Sequence, residues 1–364
     1  MKFLHAADVH LGAEPESGTK LGPIRRQEIR DAFQHIIEIC EDNKIDLLLL
    51  PGDLFHGQPL LREVKEVDRL FRSLTHTCVV MCAGNHDCLL PSSHYYDVTF
   101  PDNVTFLMDS HADSVWLPEL NTEVFGLSYE TKQISEARYD AFHINHPSRI
   151  NILLAHGNIN GNDKSIPLHQ EVLETAGFDY VALGHLHTRV EVGSRMTYSG
   201  NLEPLNRNET GPKGYILGEV TKESEESSKL HWEFVPHAKR EYVPLEFKVT
   251  PQMTELSLCS ELFAMLNAQG LQHMYLVTLA GKRAQEIVWN TEALISVLQS
   301  KGANLIELKD GTAPDFQVEK LREEQKDTLV GRFIERMDAI EDHALGQQAL
   351  QYGLQALLAR DERK

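Results

Sequence analysis

The chain has 364 residues, 41% hydrophobic and 24% charged, an ordinary folded-protein balance at a length that suits two domains. Its net charge of −19, from 35 basic and 54 acidic residues, argues against a protein that holds nucleic acid by broad phosphate neutralisation, although bound divalent cations or a partner subunit can supply positive charge locally. No run approaches the roughly 18 apolar residues of a membrane helix, the N-terminus opens into a strand, and Cys40, Cys78, Cys82, Cys88 and Cys259 read as free thiols in a reducing compartment; a cytoplasmic chain without membrane contact is expected.

Strand and helix alternate from the start. The apolar run Lys2 to Ala7 reads as a strand, and Arg25 to Asn43 as a helix with Ile29, Phe33, Ile36, Ile37 and Cys40 at helical spacing. A strand to Pro51, a helix from Leu61 to Leu74 and a strand from Cys78 to Ala83 follow, then strands Ile150 to Leu154 and Tyr180 to Leu183. After His187 the texture turns to short strands, Thr188 to Val192, Met196 to Ser199, Gly214 to Val220 and His231 to Val235, with Thr221 to Lys229 as a polar hairpin loop; this run is expected to form a second sheet packed on the first. From residue 241 a smaller unit of strand, helix, strand, helix, strand runs to Lys309, and the tail from Val318 to Arg360 is expected to be helical throughout.

The chemistry lies where five apolar runs end in short polar motifs: Asp8-Val9-His10, Gly52-Asp53, Gly84-Asn85-His86-Asp87, Ala155-His156-Gly157 and Gly184-His185-Leu186-His187. Asp8 and His10, two apart at a strand end, project the same way and suit one ion. The Asp53 carboxylate can bridge two ions about 3.5–4 Å apart, the spacing of two-metal hydrolysis. One division gives the first ion Asp8, His10, Asp53 and His187 and the second Asp53, Asn85, His156 and His185, a mixture that Mn²⁺, Fe²⁺ or Zn²⁺ accepts. His86, next to Asn85 but projecting differently, is placed to steady transition-state charge or protonate a leaving oxygen. His56, three residues past Asp53, either touches substrate or lies on a surface loop. Singly each motif also fits a turn, a helix cap or a structural histidine; together and in this order they point to a two-metal phosphoesterase.

These motifs resemble those of the calcineurin-like metallophosphoesterase superfamily over residues 1 to about 240. Phe3 to Gly12, Pro51 to His56, Tyr198-Ser199-Gly200-Asn201 and Lys213-Gly214-Tyr215 further resemble the SbcD and YhaO-like branch of DNA double-strand-break repair nucleases. The resemblance implies an α/β fold, a four-layer α-β-β-α sandwich, with a small α+β cap and a C-terminal helical tail. It divides the chain into a nuclease domain at 1–240, a DNA-facing cap at 241–316 and a helical segment at 317–364 that docks an SMC-like coiled-coil ATPase of the SbcC or YhaN kind. It also implies two Mn²⁺, with Fe²⁺, Zn²⁺ or Mg²⁺ as substitutes, His86 as transition-state stabiliser, His56 as a residue orienting the DNA end, and a homodimer formed near Leu61 to Leu74 and Ser92 to Thr99. The activity implied is exonuclease, with endonuclease activity beside it.

Two other readings remain open. A small phosphodiester or nucleotide could be the substrate of the same centre; a phosphoprotein is disfavoured because Asp53-Leu54-Phe55 replaces the Asp-Arg-Gly of the protein phosphatases. A scaffold with vestigial chemistry would ordinarily have lost donors, and none is lost.

Overall fold

The run Leu47–Leu50 needs no polar face because both faces of its strand are covered. Leu48 and Leu50 join one core cluster and Leu47 and Leu49 another, all four at most 2% exposed. The structure is a computed structural model that describes residues 1–159, 161 and 164–358, and it divides into two units, Met1–Glu241 and the chain from Tyr242 onward.

In chain order the first unit contains β1 (Lys2–His5), α1 (Gly22–Asp42), β2 (Leu47–Pro51), α2 (Leu61–Phe71), β3 (Cys78–Cys82), β4 (Val104–Phe106), β5 (Asp113–Leu117), β6 (Thr122–Gly126) and β7 (Ile150–His156). It continues with α3 (Gln170–Thr175), β8 (Tyr180–Gly184), β9 (Val190–Val192), β10 (Met196–Tyr198), β11 (Gly214–Lys222) and β12 (Ser228–Pro236). These strands make two six-stranded sheets, in the orders β12-β11-β1-β2-β3-β4 and β5-β6-β7-β8-β10-β9. Strands β1 to β4 are mutually parallel, as are β6, β7, β8 and β10.

The layers follow from the two-residue period of strand side chains. Leu4, Leu48, Leu50, Val79 and Met81 pack on Phe33, Ile36 and Ile37 of α1 and Val64 and Val67 of α2. Their neighbours Phe3, Leu47, Leu49, Val80 and Cys82 turn inward to meet Val124, Ile152, Leu154, Tyr180 and Ala182 of the second sheet. The other side of the second sheet, with Phe125, Leu153, Ala155, Val181 and Leu183, is covered by Tyr139, Phe142 and Leu173. The result is helix, sheet, sheet, helix, the four-layer α/β sandwich.

The short strands after His187 do not form one sheet. β9 and β10 extend the second sheet, whereas β11 crosses to pair antiparallel with β1 and brings β12 with it. The free side of β1 offers unpaired backbone groups, and β11 satisfies them from Lys2↔Glu219 to His5↔Ile216. The β11–β12 hairpin is also longer than the sequence suggests, continuing to Lys222 and resuming at Ser228.

The second unit contains β13 (Tyr242–Val249), α4 (Glu255–Gln269), β14 (Met274–Arg283), α5 (Thr291–Ser300), β15 (Asn304–Asp310) and β16 (Ala313–Pro314). β13, β14 and β15 are parallel, with α4 and α5 as crossovers packed on a shared core that includes Leu258, Leu262, Leu294 and Leu298. The tail is three helices rather than one, α6 (Val318–Glu324), α7 (Leu329–Asp338) and α8 (His343–Leu358). Thr328 caps α7 by accepting from Gly331 N, and Asp342 accepts from Ala344 N and Leu345 N, so two cap residues interrupt the helical pattern. Residues 359–360 of the expected tail lie outside the described residues. Among the described residues no helix is long and apolar enough to cross a membrane.

Candidate metal centre

Five strand ends converge at one point because the loops after β1 and β2 remain paired beyond the strands themselves. His10 N donates to Asp53 O at 3.0 Å and Leu11 N to Leu54 O at 2.8 Å, which sets Asp8 and His10 against Asp53. Across the two sheets, His185 N donates to both Asp8 carboxylate oxygens at 2.9 Å. His86 N donates to Asp53 Oδ1 at 2.8 Å. Gly157 N donates to Gly184 O at 3.2 Å and joins the end of β7 to that of β8, so backbone N–H groups tie three strand ends of the first sheet and two of the second.

The turns carry strain. Asp8, His10, Asp53 and His185 all have positive φ, of 50°, 53°, 50° and 101°. Such conformations cost about 1–3 kcal/mol each and persist where the surroundings enforce them. Glycine gives the remaining room: a Cβ on Gly52, which has φ +86°, would lie 2.4 Å from His156 Nδ1, and one on Gly184 would lie 2.1 Å from Pro51 O.

The structure brings together all seven residues read as metal donors. His10 Nε2 lies 3.0 Å from His187 Nε2 and 3.8 Å from Asp53 Oδ2. On the other side, His156 Nε2 lies 3.4 Å from Asp53 Oδ2 and 2.9 Å from Asn85 Oδ1, which is itself 3.2 Å from His185 Nδ1. Asp53 Oδ2 therefore stands between the two groups. Donors about 2.1 Å from a common ion sit about 3.0 Å apart at right angles and about 3.4 Å apart at a tetrahedral angle. Four of the five spacings, 2.9 to 3.4 Å, lie close to that range, His10 to Asp53 at 3.8 Å is wider, and Asp8 comes within 4.8 Å of both His10 with His187 and Asp53 with His156. The donor set fits divalent cations.

Hydrogen bonds fix which atoms face inward. His156 Nδ1 lies 3.0 Å from Pro51 O, so Nδ1 carries the proton and Nε2 is the donor atom. Tyr139 and Tyr129 grip the same residue from behind, with His156 N donating to Tyr139 Oη and Tyr129 Oη to His156 O. His187 Nδ1 lies 2.9 Å from Glu209 Oε1.

His86 and His56 stand beside the donors, stacked with ring centroids 5.3 Å apart. His86 Nδ1 donates to His56 O at 3.0 Å, leaving Nε2 for other chemistry, and His56 Nδ1 is 3.3 Å from His10 Nδ1. Asp87 is wholly buried and accepts from Gly84 N, Phe55 N and Tyr95 Oη, bracing the loop that carries Asn85 and His86. Asp87, Tyr95 and Glu209 escape the sequence reading. Asp87 stands in a motif but its partners do not, and Glu209 lies 22 residues from His187 in a loop with no periodic signal.

The electrostatics suit cations. Burial pushes Asp53 up, but the surrounding imidazoles, His156 foremost, outweigh it and hold the carboxyl below the usual range. Burial raises Asp8, with the imidazoles opposing, and raises Asp87 to about 6. Burial would lower His156, yet Asp53 and then Asp8 lift it to about 9. Burial likewise opposes the rise at His187 that Glu209 and Asp8 produce, while at His10 burial prevails and lowers the imidazole strongly. Protons on His156 and His187 thus supply compensation that a divalent cation supplies better, and cation binding would release them.

Comparison with known proteins bears on this geometry. The description Calcineurin-like phosphoesterase matches residues 1–189. The uncharacterized metallophosphoesterase YhaO of Bacillus subtilis (strain 168) is 27% identical over 288 residues, covering 73% of this chain and 66% of that protein. The DNA double-strand break repair protein Mre11 of Aeropyrum pernix is 26% identical over 240 residues, 59% of this chain and 57% of that protein. The chain therefore spans between about half and two thirds of the length of these curated relatives. Among solved structures, TT1561 of Thermus thermophilus covers 64% of this chain and 98% of its own, with 11% identity and a TM-score of 0.39, too slight a likeness to bear weight. With the family match covering more than half the chain, the protein belongs to the calcineurin-like phosphoesterases and is a metal-dependent phosphoesterase.

Proposed function

We propose that this phosphoesterase is a Mn²⁺-dependent DNA nuclease that trims DNA ends as an exonuclease, with endonuclease activity beside it, in double-strand-break repair. The observation that carries the reading is the meeting of seven donor side chains from five strand ends with His86 and His56 beside them. The likeness to a protein named for DNA double-strand break repair supports DNA as the substrate.

In this reading Asp8, His10, Asp53 and His187 hold one ion and Asp53, Asn85, His156 and His185 a second. When bound, two such ions supply the acidity that ionises a water nucleophile at neutral pH and neutralise charge on the phosphate. The chain's residues do the rest. Asp53 keeps the two groups of donors in register through His86 N, and Pro51 O keeps the His156 ring turned inward. As an imidazolium whose Nδ1 proton stays on His56 O, His86 gives its Nε2 proton to the departing sugar oxygen while the water, its own proton passed to solvent, bonds to phosphorus and the old P–O bond breaks. His56, exposed and stacked on His86, orients the DNA end.

Residues 1–240 hold the chemistry, 241–316 form a DNA-facing cap, and 317–364 dock an SMC-like coiled-coil ATPase of the SbcC or YhaN kind in the cytoplasm. Exposed Leu329, Leu345 and Tyr352 on α7 and α8 support the docking. Exposed Leu60 at the start of α2 and Tyr96 in the adjoining turn His94–Asp97 support a homodimer at that face.

The net charge of −19 favours a second reading, in which the same centre hydrolyses a small phosphodiester or nucleotide. Release of nucleotides from end-labelled duplex DNA with Mn²⁺, alone and with the ATPase, separates the two. Metal-dependent release lost in His86→Ala supports the nuclease. Inactivity on every DNA end, with hydrolysis of a chromogenic aryl phosphodiester intact, moves the assignment to the small substrate.

A further inference from the structure

The loop Gly200–Lys213 joins β10 to β11 and carries none of the strand-end motifs, yet its polar groups converge on a single residue, His187. Glu209 Oε1 lies 2.9 Å from His187 Nδ1, and Lys213 Nζ donates to His187 O at 2.7 Å. Asn201 N reaches the same carbonyl at 3.4 Å. Glu209 is only 7% exposed and also accepts from Asn201 Nδ2 at 2.7 Å, Leu205 N at 2.8 Å and Asn206 Nδ2.

Every one of those other partners is an obligate donor, so the buried carboxyl serves both oxygens as acceptors, and the imidazole nitrogen facing it must carry the ring proton. That leaves His187 Nε2 as the nitrogen turned toward a cation, 3.0 Å from His10 Nε2 and facing the donor group around Asp53. A second partner that holds a metal-bound imidazole in one tautomer and one rotation is a common source of affinity in metal sites. We propose that Glu209 is a positioning residue that fixes the tautomer and ring orientation of His187 for a divalent cation, with Asn201 and Lys213 holding the loop in place. The inference rests on the reading of His187 as a metal donor. It also accounts for the Asn201 and Lys213 segments, which the hydrolytic mechanism leaves without a task.

The test is Mn²⁺ titration of the full chain by calorimetry, with Glu209→Gln and a double-mutant cycle. The glutamine amide keeps the shape but turns one oxygen into an NH₂ that faces obligate donors. Glu209→Gln is expected to weaken one of two Mn²⁺ sites about 10–100-fold, and to change affinity less than about twofold when His187 is already alanine. An equal loss in the His187→Ala background would mean that Glu209 merely supports the loop, and no loss in either background would remove its role altogether. Should Glu209→Gln fail to fold, ¹⁵N spectra of the His187 ring in the Zn²⁺-loaded unaltered protein decide the matter. A proton on Nδ1 with Nε2 unprotonated is expected, and a proton on Nε2 overturns the proposal. Absence of any Mn²⁺ binding by the unaltered chain removes the metal centre itself and the inference with it, a result distinct from Mn²⁺ binding that ignores Glu209.

Discussion

A single methyl group at Gly84 should disable the site while leaving the fold standing. A Cβ there would lie 2.2 Å from Asp53 Oδ1 and 2.6 Å from Asp53 N. Asp53 is 1% exposed, held at φ 50°, and bonded through Oδ1 to His86 N at 2.8 Å. To restore an ordinary contact of at least 3.4 Å, Oδ1 must retreat by about 1.2 Å. Misplacement on the order of 1 Å costs about 100-fold in rate, whereas one surplus methylene in a packed interior costs about 1–3 kcal/mol. For a unit of this size that loss is a fall in Tm of roughly 2–12 °C. Gly84→Ala should therefore fold, melt somewhat earlier, and turn over a chromogenic aryl phosphodiester about 100-fold more slowly in Mn²⁺. Turnover within threefold of the unaltered protein, with Mn²⁺ affinity unchanged, would refute the claim that the position of Asp53 limits the reaction.

His86→Ala should lower turnover on DNA ends about 10²–10⁴-fold while calorimetric Mn²⁺ affinity stays within a few-fold, because its side chain is assigned to the leaving oxygen; matched losses in both would make His86 a metal ligand. Chelation with EDTA should abolish hydrolysis reversibly, and restoring Mn²⁺ at 100 times its Kd should add about 2.7 kcal/mol to stability; an unchanged Tm would contradict cation binding to the folded state. His5 gives a pH dependence far from hydrolysis: burial drives its imidazole down to about 3, against a weaker upward pull from Leu183 O. The unfolded chain then binds more protons at this residue between about pH 6.5 and 3, so stability is lost as pH falls through that window, by roughly 3 kcal/mol between pH 6.5 and 4. Urea melts should show that loss shrinking in His5→Gln, and an identical acid sensitivity in both proteins would exclude His5 as its source.

The strand-end motifs were legible because each follows an apolar run that ends in glycine or alanine, where local sequence dictates both the strand and the turn. Asp53 after Leu47–Gly52 is the clearest case. What escaped depends on partners distant in sequence. β4, β5 and β6 are short and only half apolar, and nothing in Asp113–Leu117 announces its pairing with Thr122–Gly126. β11 joins β1 because of an edge left open more than two hundred residues earlier. Tyr95 and Tyr139 each act through one hydrogen bond to a residue of the site and Glu209 through several within its own loop and one to His187, and such bonds leave no periodic trace. The breaks in the tail were within reach, since Thr328 and Asp342 are ordinary cap residues, but the apolar stripes on either side concealed them.

The donors come from both sheets, with Asp8, His10, Asp53 and Asn85 on one and His156, His185 and His187 on the other. Asp8 and His185 meet across 177 positions of chain. A ribosome releasing this protein therefore exposes five donors, His156 the last of them, and withholds His185 and His187 until the strand at Tyr180–Gly184 has emerged and the second sheet has closed on the first. No nascent fragment ending before that strand holds a full donor set. The phosphoesterase thus gains its full donor set only after its architecture is complete.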